Sequence, residues 1–180
     1  MDKTSKDYGA SVIHTACEVA KIFRKRAYAP YSNYKVGACA VAIDPDTKHA
    51  LYFGGCNVEN ASYGMTICAE RAAIFNAVGN GFKNIPIMAI ATKNNGMSCG
   101  ACRQVEYEFN PNMIILSMNE VGGIMECRLP DLLTNAFGPH NLEINQNLQA
   151  QLDEHSDWLE NYREWYDEAM KWTIWKSEPE

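Results

Sequence analysis

No stretch of this chain approaches the roughly 20 consecutive apolar residues that a helix needs to cross a bilayer, which argues against a membrane protein. The N-terminal stretch MDKTSKDYGAS is polar and has no apolar core of the kind an export signal carries. A reduced, cytoplasmic setting is therefore expected. Basic surface is also scarce. Residues 1–140 carry 13 Lys and Arg against 12 Asp and Glu, and residues 141–180 carry 3 against 10. A chain with a net charge of −6 lacks the cationic stripe that holds polyanions, so no nucleic-acid polymer is expected as substrate or partner. Histidine is sparse too, with only His14, His49, His140 and His155, and none of them flanks the cysteine motifs discussed below. There is no internal repeat and no low-complexity linker.

Cysteine, by contrast, is plentiful. The seven positions are 17, 39, 56, 68, 99, 102 and 127. An odd number without an export signal argues against a disulfide framework. Cys17, Cys39, Cys56 and Cys127 lie among apolar neighbours and read as small core residues. The other three sit in different company, in TICAERAAI (66–74) and SCGACRQV (98–105).

Periodicity orders the rest. Residues 10–27 repeat apolar positions at helical spacing, with Lys and Arg gathered in the last turn. KVGACAVAID (35–44) and ALYFGGCNV (50–58), separated by PDTKH, read as a strand pair. NIPIMAIAT (84–92) and NMIILSM (112–118) are apolar on both faces and so are expected to be covered on both sides. GGIMECRL (122–129) offers a fifth strand, and helices are expected at 67–79, 100–108 and 130–136. This order gives an α/β fold, a three-layer α/β/α sandwich around a mixed five-stranded sheet. The expected domain is 1–140. Residues 141–180 form an acidic extension of helical pattern that holds all four tryptophans. Trp158, Trp165 and Trp172 recur every seven residues, with Tyr162 and Ala169 between them, on one face at about 100° per residue. That stripe reads as packing on the domain or a neighbouring subunit, with a lid or partner-binding element as the sharper alternative.

The chemistry resides in the two cysteine motifs. Cys99 and Cys102 form a C-x-x-C pair, which serves either a metal or a redox couple. Cys68 offers a third sulfur from another helix start. Helix N-termini favour thiolates, and three thiolates plus one open position make a catalytic zinc arrangement. Such a centre carries net charge −1, which Arg71 and Arg103, each beside a motif residue, are placed to offset by hydrogen bonding to sulfur. Glu70 is close enough to touch a metal-activated water without being a ligand, which suits a proton carrier.

CAER followed by CGACRQ resembles the zinc-dependent cytidine deaminases, in their homotetrameric three-cysteine branch. AYAPYSNYKVGA (27–38), GCNVENASYGMTICAER (55–71) and LLTNAFGP (132–139) extend the resemblance over residues 10–140. It implies Zn²⁺ on Cys68, Cys99 and Cys102, with Glu70 carrying protons as a zinc-activated water attacks C4 of a cytosine ring and ammonia leaves. By the same match Asn57 and Glu59 would bind the ribose hydroxyls, Ala69 and Tyr34 would contact the nucleoside, and Tyr63 and Phe137 would reach active sites across subunit boundaries. The implied substrate is free cytidine or 2′-deoxycytidine, in pyrimidine salvage. Less favoured readings are N4-modified cytidines or a nucleoside antibiotic, a polynucleotide editor, and a non-catalytic zinc scaffold. Two positions depart from the family pattern. Ser98 stands where proline is usual; serine there can act as an N-cap and preserve the turn, or alternatively loosen the wall near the departing amine, the less favoured reading, which would admit larger substituents on the exocyclic nitrogen. Glu106 stands where an apolar residue is usual and is expected on a solvent-facing turn.

Overall fold

The computed structural model describes residues 3–138 and 141. The acidic extension and its tryptophan stripe lie outside the described residues. A short 3-10 turn, Ser5–Tyr8, precedes helix α1, Ala10–Lys25. Strands β1 (Gly37–Ile43) and β2 (Ala50–Cys56) follow, then α2 (Ala69–Gly79), β3 (Ile87–Ala91), α3 (Gly100–Phe109), β4 (Ile114–Met118), β5 (Ile124–Arg128) and a single turn, α4 (Leu129–Leu132). The sheet order is β2-β1-β3-β4-β5. β1 runs antiparallel to both β2 and β3, β3 and β4 are parallel, and β5 returns antiparallel on β4. The α3 crossover between the two parallel strands is the connection that such a pair requires.

Strand alternation divides the core in two. Cys39, Val41, Ile87, Ala89, Ile114 and Leu116 face α1 and pack on its Ala16, Cys17 and Ala20. Ala38, Ala40, Met88, Ile90 and Ile115 face the other way, onto Ala69, Ala73, Ile74 and Ala77 of α2. Successive strand side chains point to opposite faces, so these apolar runs read correctly as strands covered on both sides. The three-layer sandwich and its five-stranded mixed sheet are as expected. The last helix is shorter than the 130–136 span expected. Pro130 suits a helix start, but Leu133 leaves the helical region at φ −138°, ψ 84°.

Close packing on the functional side depends on Gly55. A Cβ there would stand 2.3 Å from the Ala73 nitrogen and 2.6 Å from the Ala69 carbonyl oxygen. Only a residue without a side chain lets the first turns of α2 lie this near β2.

Candidate metal centre and adjoining cavity

Both cysteine motifs begin helices. Cys68 is the N-cap of α2 and Cys99 the N-cap of α3, each with extended backbone and no side-chain capping bond. Cys102 lies in the first turn of α3 and is buried. The three sulfurs lie within 4.8 Å of one another, and no other such group of metal-capable side chains occurs among the described residues. Two residues from different parts of the chain and one from the next helical turn thus meet at a point faced by two positive helix ends. Sulfur donors at this separation suit a tetrahedral zinc with an open fourth position.

The electrostatics agree with that use. The Cys102 thiol hydrogen bonds to Cys68 and, with Arg71 close by, draws the Cys68 thiol down to about 5. Arg71 Nη2 donates to Cys68 Sγ at 3.6 Å and to the Thr66 carbonyl at 3.2 Å. Cys102, the donor of the pair, is raised correspondingly. Arg103 makes no hydrogen bond to sulfur among the described residues; its Nη1 donates to the Leu132 carbonyl at 2.8 Å and ties α3 to α4. Glu70, the second residue of α2, is 5 % exposed. Burial, reinforced by the Cys68 charge, raises its carboxyl above the ordinary glutamate range. A carboxyl that holds its proton more tightly than usual is suited to a proton carrier.

A cavity of about 300 Å³ opens onto Cys68, Glu70 and Cys99 and extends to Tyr34, Asn57 and Glu59. Ala69, fully buried, also lines it. Tyr34 forms part of the wall, its hydroxyl donating to Asn94 Oδ1 at 2.6 Å. The Asn57 amide is largely committed to the backbone. Its Oδ1 accepts from Val36 N–H at 2.9 Å and its Nδ2 donates to the Tyr34 carbonyl at 2.9 Å. One amide hydrogen remains for a ligand. Glu59 Oε2 accepts from Tyr31 N–H at 2.8 Å and Ser32 N–H at 3.2 Å, and its Oε1 accepts from the Ser32 hydroxyl. These bonds, that from the Ser32 hydroxyl foremost, hold its carboxyl below the ordinary range, so a fixed acceptor is presented at neutral pH. Tyr63 and Phe137 do not line this cavity; they are 75 % and 59 % exposed.

Two further expectations are corrected. Ser98 is not an N-cap, since Cys99 takes that place. Its hydroxyl donates instead to Glu106 Oε1 at 2.7 Å, away from the cavity lining, which removes the motive for a pocket widened at residue 98. Glu106 faces no solvent: it is fully buried, and burial raises its carboxyl to about 7. A glutamate in an otherwise ordinary helix carries no local signal of burial, because its partner lies outside the helix.

The profile of the family described as the cytidine and deoxycytidylate deaminase zinc-binding region matches residues 10–118. A cytidine deaminase of Sporosarcina psychrophila is 41% identical over 126 residues, covering 68% of this chain and 89% of that one. A probable cytidine deaminase of Dictyostelium discoideum is 34% identical over 128 residues, or 69% of this chain and 76% of that one. Among solved structures, a cytidine deaminase from Burkholderia pseudomallei has 43% identity and a TM-score of 0.63, covering 69% of this chain and 98% of that chain. One from Mycobacterium tuberculosis has 35% identity and a TM-score of 0.58, covering 70% of this chain and 97% of that chain.

Proposed function

This chain belongs to the zinc-binding cytidine and deoxycytidylate deaminase family, and from that premise we propose that it hydrolyses free cytidine and 2′-deoxycytidine to the corresponding uridines and ammonia. It is a zinc-dependent hydrolytic enzyme. The observation that carries the reading is the meeting of three sulfurs within 4.8 Å beside a buried carboxyl on one cavity. Cys68, Cys99 and Cys102 are the proposed ligands. Zinc supplies the Lewis acidity that lets a water attack C4 of the ring at neutral pH.

The chain's own residues do the rest. Glu70 takes one proton from the attacking water and delivers it to ring nitrogen N3; it then takes the remaining proton from the new C4 hydroxyl and hands it to the departing amine, so that the C4 carbonyl forms as ammonia leaves. Its place on the rigid start of α2 suits a group that serves successive transfers over nearly constant distances. Arg71, donating to Cys68 Sγ, moderates the negative charge of the sulfur set. Glu59 accepts from a ribose hydroxyl, and the free hydrogen of Asn57 donates to one. A carboxylate at that place disfavours a phosphodiester, which is anionic and has no hydrogen to give. Tyr34 and Ala69 bound the nucleoside.

Self-association, as a homotetramer, is part of the proposal. Tyr28, Tyr31, Tyr63, Met65, Phe75 and Phe137 all stand exposed, apolar surface that a neighbouring subunit would cover. Tyr63 and Phe137 would complete a neighbour's cavity. The seven cysteines are all free, which suits a reducing, cytoplasmic compartment and a role in pyrimidine salvage. The extension 141–180 is kept as a separate unit of the chain. The deciding assay is ammonia release from cytidine by protein that carries one zinc per chain. Turnover of cytidine and deoxycytidine is expected; zinc-loaded protein that releases none from either would refute the proposal.

A further inference from the structure

Ser98 and Glu106 form a buried pair that no step of the proposed reaction uses. Ser98 is 1 % exposed and Glu106 0 %, and they are joined by the 2.7 Å bond from Ser98 Oγ to Glu106 Oε1. Glu106 Oε2 has no hydrogen-bond partner among the described residues. At 3.6 residues per turn, Glu106 falls two turns beyond Cys99 and one beyond Cys102, on the same stripe as both sulfurs. Helical side chains lean back toward the N-terminus, which carries the carboxyl toward the residue that enters the helix. The bridge thus ties that residue to the body of α3, and the segment it closes contains Cys99 and Cys102.

The preceding loop is fastened at its other end. Gly96 N–H donates to Thr92 Oγ1 at 2.8 Å, Ser117 Oγ donates to the Gly96 carbonyl at 3.0 Å, and Asn95 Nδ2 donates to the Ser117 carbonyl at 2.8 Å. Past Gly96, the next side-chain tether is that of Ser98. Cys102 is set in place by the helix itself and is buried, whereas Cys99 is exposed and depends on how the chain enters.

We propose that Ser98 and Glu106 are positioning residues of the metal centre: their hydrogen bond clamps the peptide entering α3 and so holds Cys99 in register with Cys68 and Cys102. The proposal rests on the zinc reading above. Two apolar side chains would fill the same space with no polar atom left unpaired. What they would lack is direction, and a directional bond is what a ligand-bearing turn needs.

The test uses the full chain, loaded with zinc, as wild type, Ser98→Ala, Glu106→Leu, Glu106→Gln and the double variant Ser98→Ala/Glu106→Leu. Zinc transfer to a chromogenic chelator is timed well below the lowest melting temperature, and melting is recorded with and without zinc. Ser98→Ala and Glu106→Leu are expected to release zinc about tenfold faster or more. Glu106→Gln, which keeps an acceptor for Ser98, is expected to stay within about threefold of wild type. The double variant is expected to regain melting temperature, because no buried polar group is left without its partner, while still releasing zinc as fast as the single variants. Unchanged release in both single variants, or release restored in the double variant together with its stability, overturns the proposal and leaves the pair as packing. If a single variant does not fold, the double variant carries the same decision. Wild-type protein that holds no zinc overturns the zinc reading itself and this proposal with it; wild type that holds zinc while the variants release it normally overturns this proposal alone.

Discussion

Replacing Glu106 by Gln should change how stability depends on pH. The carboxyl ordinarily titrates near 4.5, and burial raises it to about 7 in the fold. The native state therefore binds this proton more tightly than the unfolded chain does. Its favourable effect is fully present below about pH 4.5, declines as pH rises toward 7, and is gone above that. Each tenfold in proton affinity is worth about 1.4 kcal/mol, so the ionised carboxylate costs the neutral-pH fold roughly 3 kcal/mol relative to the acid form. Glutamine does not titrate. Urea unfolding of the zinc-loaded wild type and Glu106→Gln proteins, at one protein concentration and at several values between pH 5 and 8, gives the comparison. Cysteines, Glu70 and the surface carboxylates titrate in both proteins and largely cancel in the difference. Glu106→Gln is expected to gain on wild type by about 2–3 kcal/mol from pH 5 to pH 7 and to hold that difference above. A difference flat to within about 0.5 kcal/mol would show that water reaches the carboxyl and that its burial in the fold is misjudged.

Glu70→Gln should lower turnover by about 10²- to 10⁴-fold while zinc content and melting temperature stay at wild-type values; equal activity would remove Glu70 from the proton path. Gly55→Ala places a methyl 2.3 Å from a backbone nitrogen of α2. It should cost about 1–3 kcal/mol of stability and reduce activity as well, since Cys68 and Glu70 travel with that helix; thermal melting and turnover check both. Glu59→Gln should raise KM for cytidine about tenfold or more with a smaller change in kcat. In wild type the Glu59 carboxyl is held below the ordinary glutamate range, so it is an ionised acceptor at all higher pH and is lost only as pH falls through that lowered value; KM should rise on the acid side and not on the alkaline side.

Strands and helices were legible wherever one period governed several residues in a row. The runs 87–91 and 114–118 could hardly be read otherwise, and Lys and Arg at the end of α1 mark its last turn. The sulfur cluster was legible because each motif sits at a helix start and thiolates belong there. What escaped was decided by residues distant in sequence. Arg103 finds its acceptor on Leu132, 29 positions away. Asn57 braces the backbone of Tyr34 and Val36, a duty that nothing in the asparagine's own neighbourhood announces. Glu106 looked like one more surface charge because helix periodicity speaks of faces, not of partners. The available signal was that two departures from the family pattern, Ser98 and Glu106, fall eight residues apart and compensate each other.

The cysteines that open α2 and α3 flank β3 in the sequence, and their helices pack on the same face of the sheet, so an ion gripping both would staple those two neighbouring helices to each other. Closing a loop of about 30 residues removes freedom chiefly from the unfolded chain. Shortage of the ion during synthesis would then be felt as a shortage of folded protein, before any effect on catalysis became measurable.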